Sequence, residues 1–166
     1  PGLGALAAAR GGRDSRLAGN LAALGVSADD ISVVSKHDTS TNANDPNEAE
    51  LHSLIAQALG RSEGNPLYVV SQKTLTGHSK GGAALFQLAG LTQIFASGLI
   101  PGNMALDCMD PVFEEDSFLV WPRSPFQHEG VKAGLISSLG FGHVSALLAL
   151  AAPGAFEAAV ERAHGA

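Results

Sequence analysis

Residues 31–60, ISVVSKHDTSTNANDPNEAELHSLIAQALG, run from β-branched residues through a hydroxyl- and amide-rich loop into a helical repeat. Ile31–Ser35 has the composition of a short buried strand, because β-branched side chains suit a pleated surface. His37–Asn47 is dense in hydroxyls, amides and a proline, the mark of a loop. Asp45 is then a helix N-cap with Pro46 at the first helical position, and Glu48 falls three residues after the cap, as in a capping box. The spacing predicts a helix over Asn47–Leu59 with Leu51, Leu54, Ile55 and Ala58 on one face and Gly60 as its stop. Strand, polar connection and packed helix form the unit of layered α/β folds.

Outward from this unit the pattern repeats. Leu17, Leu21 and Leu24 predict a helix over Ser15–Leu24 closed by Gly25, whereas Pro1–Asp14 is small and glycine-broken, a loop or the end of an earlier element. Pro66–Ser71 predicts a second buried strand, and Lys80–Ser97 is apolar almost all round, which predicts a helix in the middle of the protein. Strands are expected at Ser117–Trp121, at Val131–Ser137 and, after the turn Gly140-Phe141-Gly142, at Val144–Leu150; Gly154–Ala166 reads as an amphipathic tail helix. The expected organisation is an α/β domain over 15–150 with a mixed, mainly parallel sheet and a buried central helix, followed by a helical tail over 151–166.

Composition narrows the function. At 166 residues, 45% hydrophobic and 16% charged, the chain is neither disordered nor long enough for several domains. Ten basic against 16 acidic residues, a net charge of −6, exclude non-specific nucleic-acid binding. The single cysteine, Cys108, excludes a disulfide scaffold and fits a reducing, cytoplasmic setting. No apolar run approaches the ~18 residues of a membrane span, and PGLGALAAAR lacks the flank and core of a signal peptide.

Several motifs carry chemistry. Gly77-His78-Ser79-Lys80-Gly81 fits G-x-S-x-G, and chain order allows a hydrolase triad with Ser79 as nucleophile, Asp107, Asp110 or Asp116 as acid and His128 or His143 as base. A nucleophile elbow requires a tight turn directly between strand and helix, however, and Gln72–Thr76 intervenes here. The Walker pattern fails for want of G-K-[ST], and no H-x-x-x-H or C-x-x-C pair anchors a metal near His37-Asp38 or His78. Cys108, without an adjacent base, is expected to be a small buried hydrophobe. His37 and His78 both stand in strand-to-helix connections, where α/β sheets bind ligands, with Lys73 five residues before His78. Together they suit a substrate that develops an oxyanion polarised by imidazole N–H groups.

These residues resemble the β-ketoacyl synthases of the thiolase fold. The match rests on His37-Asp-Thr-Ser-Thr41 with Asp45 and Glu48, on Lys73-Thr-Leu-Thr-Gly-His78 before an apolar helix, and on Gly140-Phe141-Gly142 between strands. N-A-N-D-P-N-E at 42–48, L-G-R-S-E-G-N-P at 59–66 and S-G-L-I-P-G-N at 97–103 are similar to single-chain fatty acid synthases of the fungal and actinobacterial type. The resemblance implies an acyltransferase of fatty acid elongation that condenses an acyl-enzyme with malonyl carried on acyl carrier protein. It implies that His37 and His78 polarise the malonyl thioester, that Lys73 and Glu48 form a buried charged pair, and that Thr39 and Thr41 line the pantetheine tunnel. Phe141 becomes the gate, its backbone N–H part of the oxyanion hole. No cofactor is implied for this segment, since the substrate rides on the carrier's phosphopantetheine arm.

Two positions depart from the family pattern. Asp38 replaces the glycine of H-G-T-S-T and is expected to face solvent; His143 replaces a glycine after G-F-G and makes the gate stiffer or more polar. The family's nucleophilic cysteine opens a buried helix earlier in the domain, and Cys108, which follows both histidines, does not correspond to it. The chain is therefore expected to be the C-terminal half of a ketosynthase domain, inactive alone, completed by the N-terminal half in a homo-oligomeric parent and exposing apolar surface by itself. A purely docking or assembly role is the alternative of a different class.

Overall fold

A computed structural model describes residues 6–165, except for the side chain of His143. Helix α1 spans Arg16–Ala23 and starts where Ser15 accepts the Ala18 N–H, an N-cap of ordinary chemistry. Strand β1 (Ile31–Ser35) leads to α2 (Asn44–Leu59), and β2 (Leu67–Val70) leads to the single turn α3 (Lys73–Thr76) and then α4 (Ala83–Ser97). The remaining elements are β3 (Leu99–Ile100), β4 (Leu119–Val120), β5 (Phe126–Gln127), β6 (Ala133–Leu139), β7 (Ser145–Ala151) and α5 (Pro153–His164).

Five strands form one sheet in the order β4-β2-β1-β6-β7. Its first four strands are parallel, and β7 returns antiparallel to β6. The short strands β3 and β5 pair separately as an antiparallel ribbon. This is the mixed, mainly parallel α/β sheet expected from the sequence. One face carries Val34, Val69 and Leu135 under α1 and α2, meeting Leu17, Leu21, Leu51, Ile55 and Leu59. The other face carries Val33, Val70 and Ile136 under α4, meeting Leu91 and Ile94. Gly134 lets that helix approach closely, for a Cβ there would stand 2.7 Å from Leu91 Cδ1.

Two helices differ from expectation for identifiable reasons. Helix α2 begins at Asn44 because the Thr41 hydroxyl accepts the Asn44 N–H (3.2 Å) and the Thr41 carbonyl accepts the N–H groups of Asn44 and Asp45. Asp45 and Pro46 therefore lie inside the first turn, where an absent N–H costs nothing, and Glu48 is free to turn inward. Helix α4 is buried only along Ala83, Gln87, Leu91 and Ile94. Its opposite face leaves Leu85 69% and Phe86 44% exposed, so the apolar circumference is half covered rather than enclosed. The tail helix α5 buries none of its residues, and the predicted elements at 1–5 and 166 lie outside the described residues.

Gln87 ties α4 to the site-bearing ends of the sheet. Its buried side-chain amide donates to the carbonyls of Ser35 (2.8 Å), Lys36 (2.9 Å) and Ser137 (3.1 Å), at the point where β1 leaves the sheet beside β6. Gln87→Leu conserves volume but strands these buried carbonyls. We expect it to lower the free energy of unfolding by about 2–3 kcal/mol in a urea titration. A change below about 0.5 kcal/mol would show that the carbonyls find other partners.

Candidate active site

The connection after β1 is organised by one carboxylate. Glu48, fully buried on α2, accepts from the His37 N–H (2.6 Å) and the Ser137 hydroxyl (2.5 Å) through Oε1. Through Oε2 it accepts from the Asp38 N–H (2.8 Å) and the Asn44 side-chain amide (3.1 Å). The chain is held here in a tight turn in which Asp38 (φ +43°) and Ser40 (φ +53°) occupy the left-handed region, uncommon for residues with a Cβ. Burial pushes the Glu48 pKa upward, but the nearby Lys36 ammonium, the Ser137 hydroxyl and the Asp38 N–H together hold it below the usual carboxylate value.

His37 is 8% exposed, and Lys73 reaches it from α3. The ammonium donates to the His37 carbonyl and lies 3.5 Å from His37 Nδ1. An ammonium only donates, so Nδ1 is the acceptor and the ring proton sits on Nε2. His78 is fixed in the same way: its Nδ1 accepts the Lys80 N–H at 3.1 Å, which leaves the Nε2 proton free. The two imidazoles meet edge-on, centroids 5.4 Å apart and planes at 83°. Burial first, and then the Lys73 charge, hold His37 below the ordinary histidine pKa, so it is neutral near pH 7. The structure thus brings together His37, His78, Lys73 and Glu48.

It also corrects the detail. Lys73 and Glu48 do not form a direct ion pair; they grip opposite ends of residue 37, Glu48 its N–H and Lys73 its carbonyl. Asp38 does not face solvent. Its carboxylate lies 3.9 Å from the ammonium of Lys36, a lysine only 2% exposed that also sits 5.7 Å above the Trp121 ring. Strand alternation places Lys36 on the same face as Val34, a signal in the sequence that the loop motif obscured. Thr39 and Thr41 share a 3.3 Å hydroxyl contact beside the turn, Thr41 being used also as the cap of α2. Phe141 is fully exposed on the turn after β6, so its ring covers nothing within this chain.

Ser79 has no described imidazole bonded to its hydroxyl, and the turn α3 separates it from β2. His128 packs on Tyr68 and Phe126 instead, and Asp116 is occupied by Ser53 and the N–H groups of Phe118 and Leu119. Cys108 is exposed rather than buried; it lines a cavity of about 320 Å³ with Lys36, Asp38, Thr41 and Trp121. Among the described residues, no group of three His, Cys, Asp or Glu side chains is placed to hold a metal, and no helix is long and apolar enough to cross a membrane. One further polar pair escaped the sequence reading: His52 and Ser137, both fully buried, joined Nε2 to Oγ at 3.0 Å. The i, i+4 spacing of His52 from Glu48 on α2 was the available signal.

The family described as beta-ketoacyl synthase, C-terminal domain, matches residues 4–107. The chain is 43% identical over 150 residues to the fatty acid synthase subunit alpha of Candida albicans, covering 90% of this chain and 8% of that protein. Among solved structures, the noncanonical ketosynthase FabY of P. aeruginosa aligns with a TM-score of 0.76 and 24% identity, over 90% of this chain and 23% of that one. The AntDE:AntF complex, a type II polyketide synthase acyl-carrier protein with its ketosynthase bound to the hexaketide, gives a TM-score of 0.63 and 21% identity over 82% of this chain and 31% of that one. The chain thus spans less than a tenth of the curated relative and under a third of these ketosynthase chains.

Burial drags the pKa of His52 from 6.5 to about 4. Between those values the unfolded chain takes up a proton that the folded chain refuses. Stability is therefore complete above pH 6.5, falls as pH drops toward 4, and levels off below. The His52 contribution to that loss is about 3 kcal/mol. His52→Gln, measured beside the parent chain by urea unfolding at pH 7 and pH 4.5, should remove most of it; identical slopes for the two would refute the assignment.

Proposed function

We propose, for a chain that belongs to the β-ketoacyl synthase family through its C-terminal domain, that it supplies the histidine-bearing half of a decarboxylating, carbon–carbon bond-forming centre in fatty acid elongation. The observation that carries this reading is the pairing of His37 and His78, 5.4 Å apart, each with Nδ1 engaged and Nε2–H left to donate. Two imidazole N–H donors side by side suit a thioester carbonyl whose oxygen gains negative charge.

In this reading malonyl arrives as a thioester on the phosphopantetheine arm of acyl carrier protein. The bond from its α-carbon to the carboxylate breaks and CO₂ leaves. The electron pair flows into the thioester, giving an enolate whose oxygen takes hydrogen bonds from His37 and His78. The α-carbon then attacks the acyl group held on a cysteine of the N-terminal half; the new carbon–carbon bond forms and the cysteine thiolate departs. Neither histidine transfers a proton in this sequence, which accords with the low pKa of His37. Donors of this kind contribute roughly 3–4 kcal/mol each in such sites. Lys73 fixes the His37 tautomer, Thr39 and Thr41 border the arm, and Phe141 together with its backbone N–H serves the acyl side once the other half is in place.

The exposed apolar face of α4, with Leu85 and Phe86, supports completion by that N-terminal half; the parent is proposed to be a cytoplasmic homo-oligomer. No cofactor of its own is needed by the segment 15–150. In the complete ketosynthase-bearing protein, His37→Ala and His78→Ala should each reduce malonyl-carrier decarboxylation by about 10²–10³-fold. Full decarboxylation in both variants would overturn the proposal, as would stoichiometric labelling of Ser79 by a fluorophosphonate, which would favour a hydrolase.

A further inference from the structure

The polar chain behind His37 extends one step further than the decarboxylating reaction requires. Ser137, on β6, has one hydroxyl proton, and the 2.5 Å contact with Glu48 Oε1 takes it, because an ionised carboxylate only accepts. The Ser137 oxygen is left to accept, and two donors point at it: His52 Nε2 at 3.0 Å and the His37 N–H at 3.3 Å. The proton of His52 therefore sits on Nε2, and its Nδ1 has no hydrogen-bond partner. The bonds run in one direction, from the His52 ring N–H to the Ser137 hydroxyl to the Glu48 carboxylate, which binds the His37 and Asp38 N–H groups.

His52 is completely buried beside Leu51 and Ile55 on α2, and no substrate reaches it. A histidine there, with one ring nitrogen unsatisfied, is a costly choice where a leucine would pack. What it supplies is direction. A serine hydroxyl rotates freely unless its lone pairs are engaged, and His52 engages them so that the proton points at Glu48. Glu48 in turn holds the turn in which Asp38 and Ser40 have positive φ. Without that anchor the turn relaxes toward ordinary backbone geometry, and the His37 ring moves with it.

We propose that His52 and Ser137 are positioning residues: a buried His–Ser relay that orients the Glu48 carboxylate and, through the His37 peptide, aims the His37 Nε2–H at the developing enolate. This rests on the ketosynthase reading above, and it predicts an effect on one half-reaction only. Decarboxylation depends on where His37 points; acylation of the cysteine in the other half does not.

The test uses the intact ketosynthase-bearing protein with malonyl-carrier decarboxylation and nucleophile acylation measured separately. Ser137→Ala and His52→Leu should lower kcat for decarboxylation by about tenfold to a hundredfold, the cost of a misaimed group. KM for the malonyl carrier and the acylation rate should stay within about twofold. His52→Gln, whose amide N–H can donate to Ser137, should recover decarboxylation to within about threefold of the parent. Ser137→Ala removes only an oxygen and keeps the test valid if His52→Leu fails to fold. Equal losses in both half-reactions, or no loss in Ser137→Ala, overturn the relay. His37→Ala is the control: if it leaves decarboxylation intact, the ketosynthase reading itself has failed; if it abolishes decarboxylation while Ser137→Ala is silent, the relay alone has failed.

Discussion

A buried carboxylate is the constraint on which the rest of the site depends. Glu48 has no exposed surface, and removing its charge from water is expensive unless every lone pair finds a donor. Donors come from the turn after β1, from α2 and from β6, so the carboxylate joins the elements that must agree for His37 to be placed. Strained residues stand directly beside these contacts. Asp38 and Ser40, at positive φ, turn the chain sharply just after the consecutive His37 and Asp38 N–H groups that the carboxylate binds. Backbone strain and buried charge, each unfavourable alone, are mutually supporting here.

Much of this was legible in the sequence. The strand Ile31–Ser35 was bounded as observed, and the alternation of strands and helices led directly to a mainly parallel sheet. The loop after β1 and the two histidines stand out in the sequence because polar strand-to-helix connections of such folds are where ligands bind, and the structure brings the two rings within 5.4 Å of each other. The failures were of partner choice. Glu48 has the spacing of a capping box, and local pattern prefers that pairing, yet tertiary donors compete for a carboxylate and won. Lys73 and Glu48 have opposite charges, which suggests a pair; the backbone of residue 37 lies between them and satisfies both.

The partners of other residues are hidden for a different reason. Lys36, His52 and Ser137 stand among other polar residues, and the alternation or helical spacing that marks their direction does not name a partner. Their meaning comes from the fold, which packs β1 beside β6 and α2 across them. Asp38 belongs with these. As one carboxylate in a polar loop it suggests solvent, but the burial of Lys36 beneath it supplies a counter-charge at 3.9 Å. Helix α4 gave the converse lesson: composition described its apolar circumference correctly but not which part this chain covers. Gln87 marks the covered side, because three main-chain carbonyls can be satisfied there and nowhere on the face of Leu85 and Phe86.

The electrostatic design of the histidine pair follows from these contacts. A protonated imidazole would be the stronger donor to an oxyanion, yet burial and the adjacent Lys73 ammonium both oppose protonation of His37. The arrangement instead separates the two tasks. Lys73 carries the fixed positive charge and faces the carbonyl and Nδ1 of His37, while the outward Nε2–H is a neutral donor. Such a donor stabilises charge as it appears and keeps its own proton, so an enolate held by it survives as a carbon nucleophile. An imidazolium in the same place would tend to protonate the intermediate it was meant to hold. On the proposed function, a neutral His37 donor backed by the Lys73 ammonium favours carbon–carbon bond formation over quenching, and the Lys73 contact with Nδ1 keeps it so.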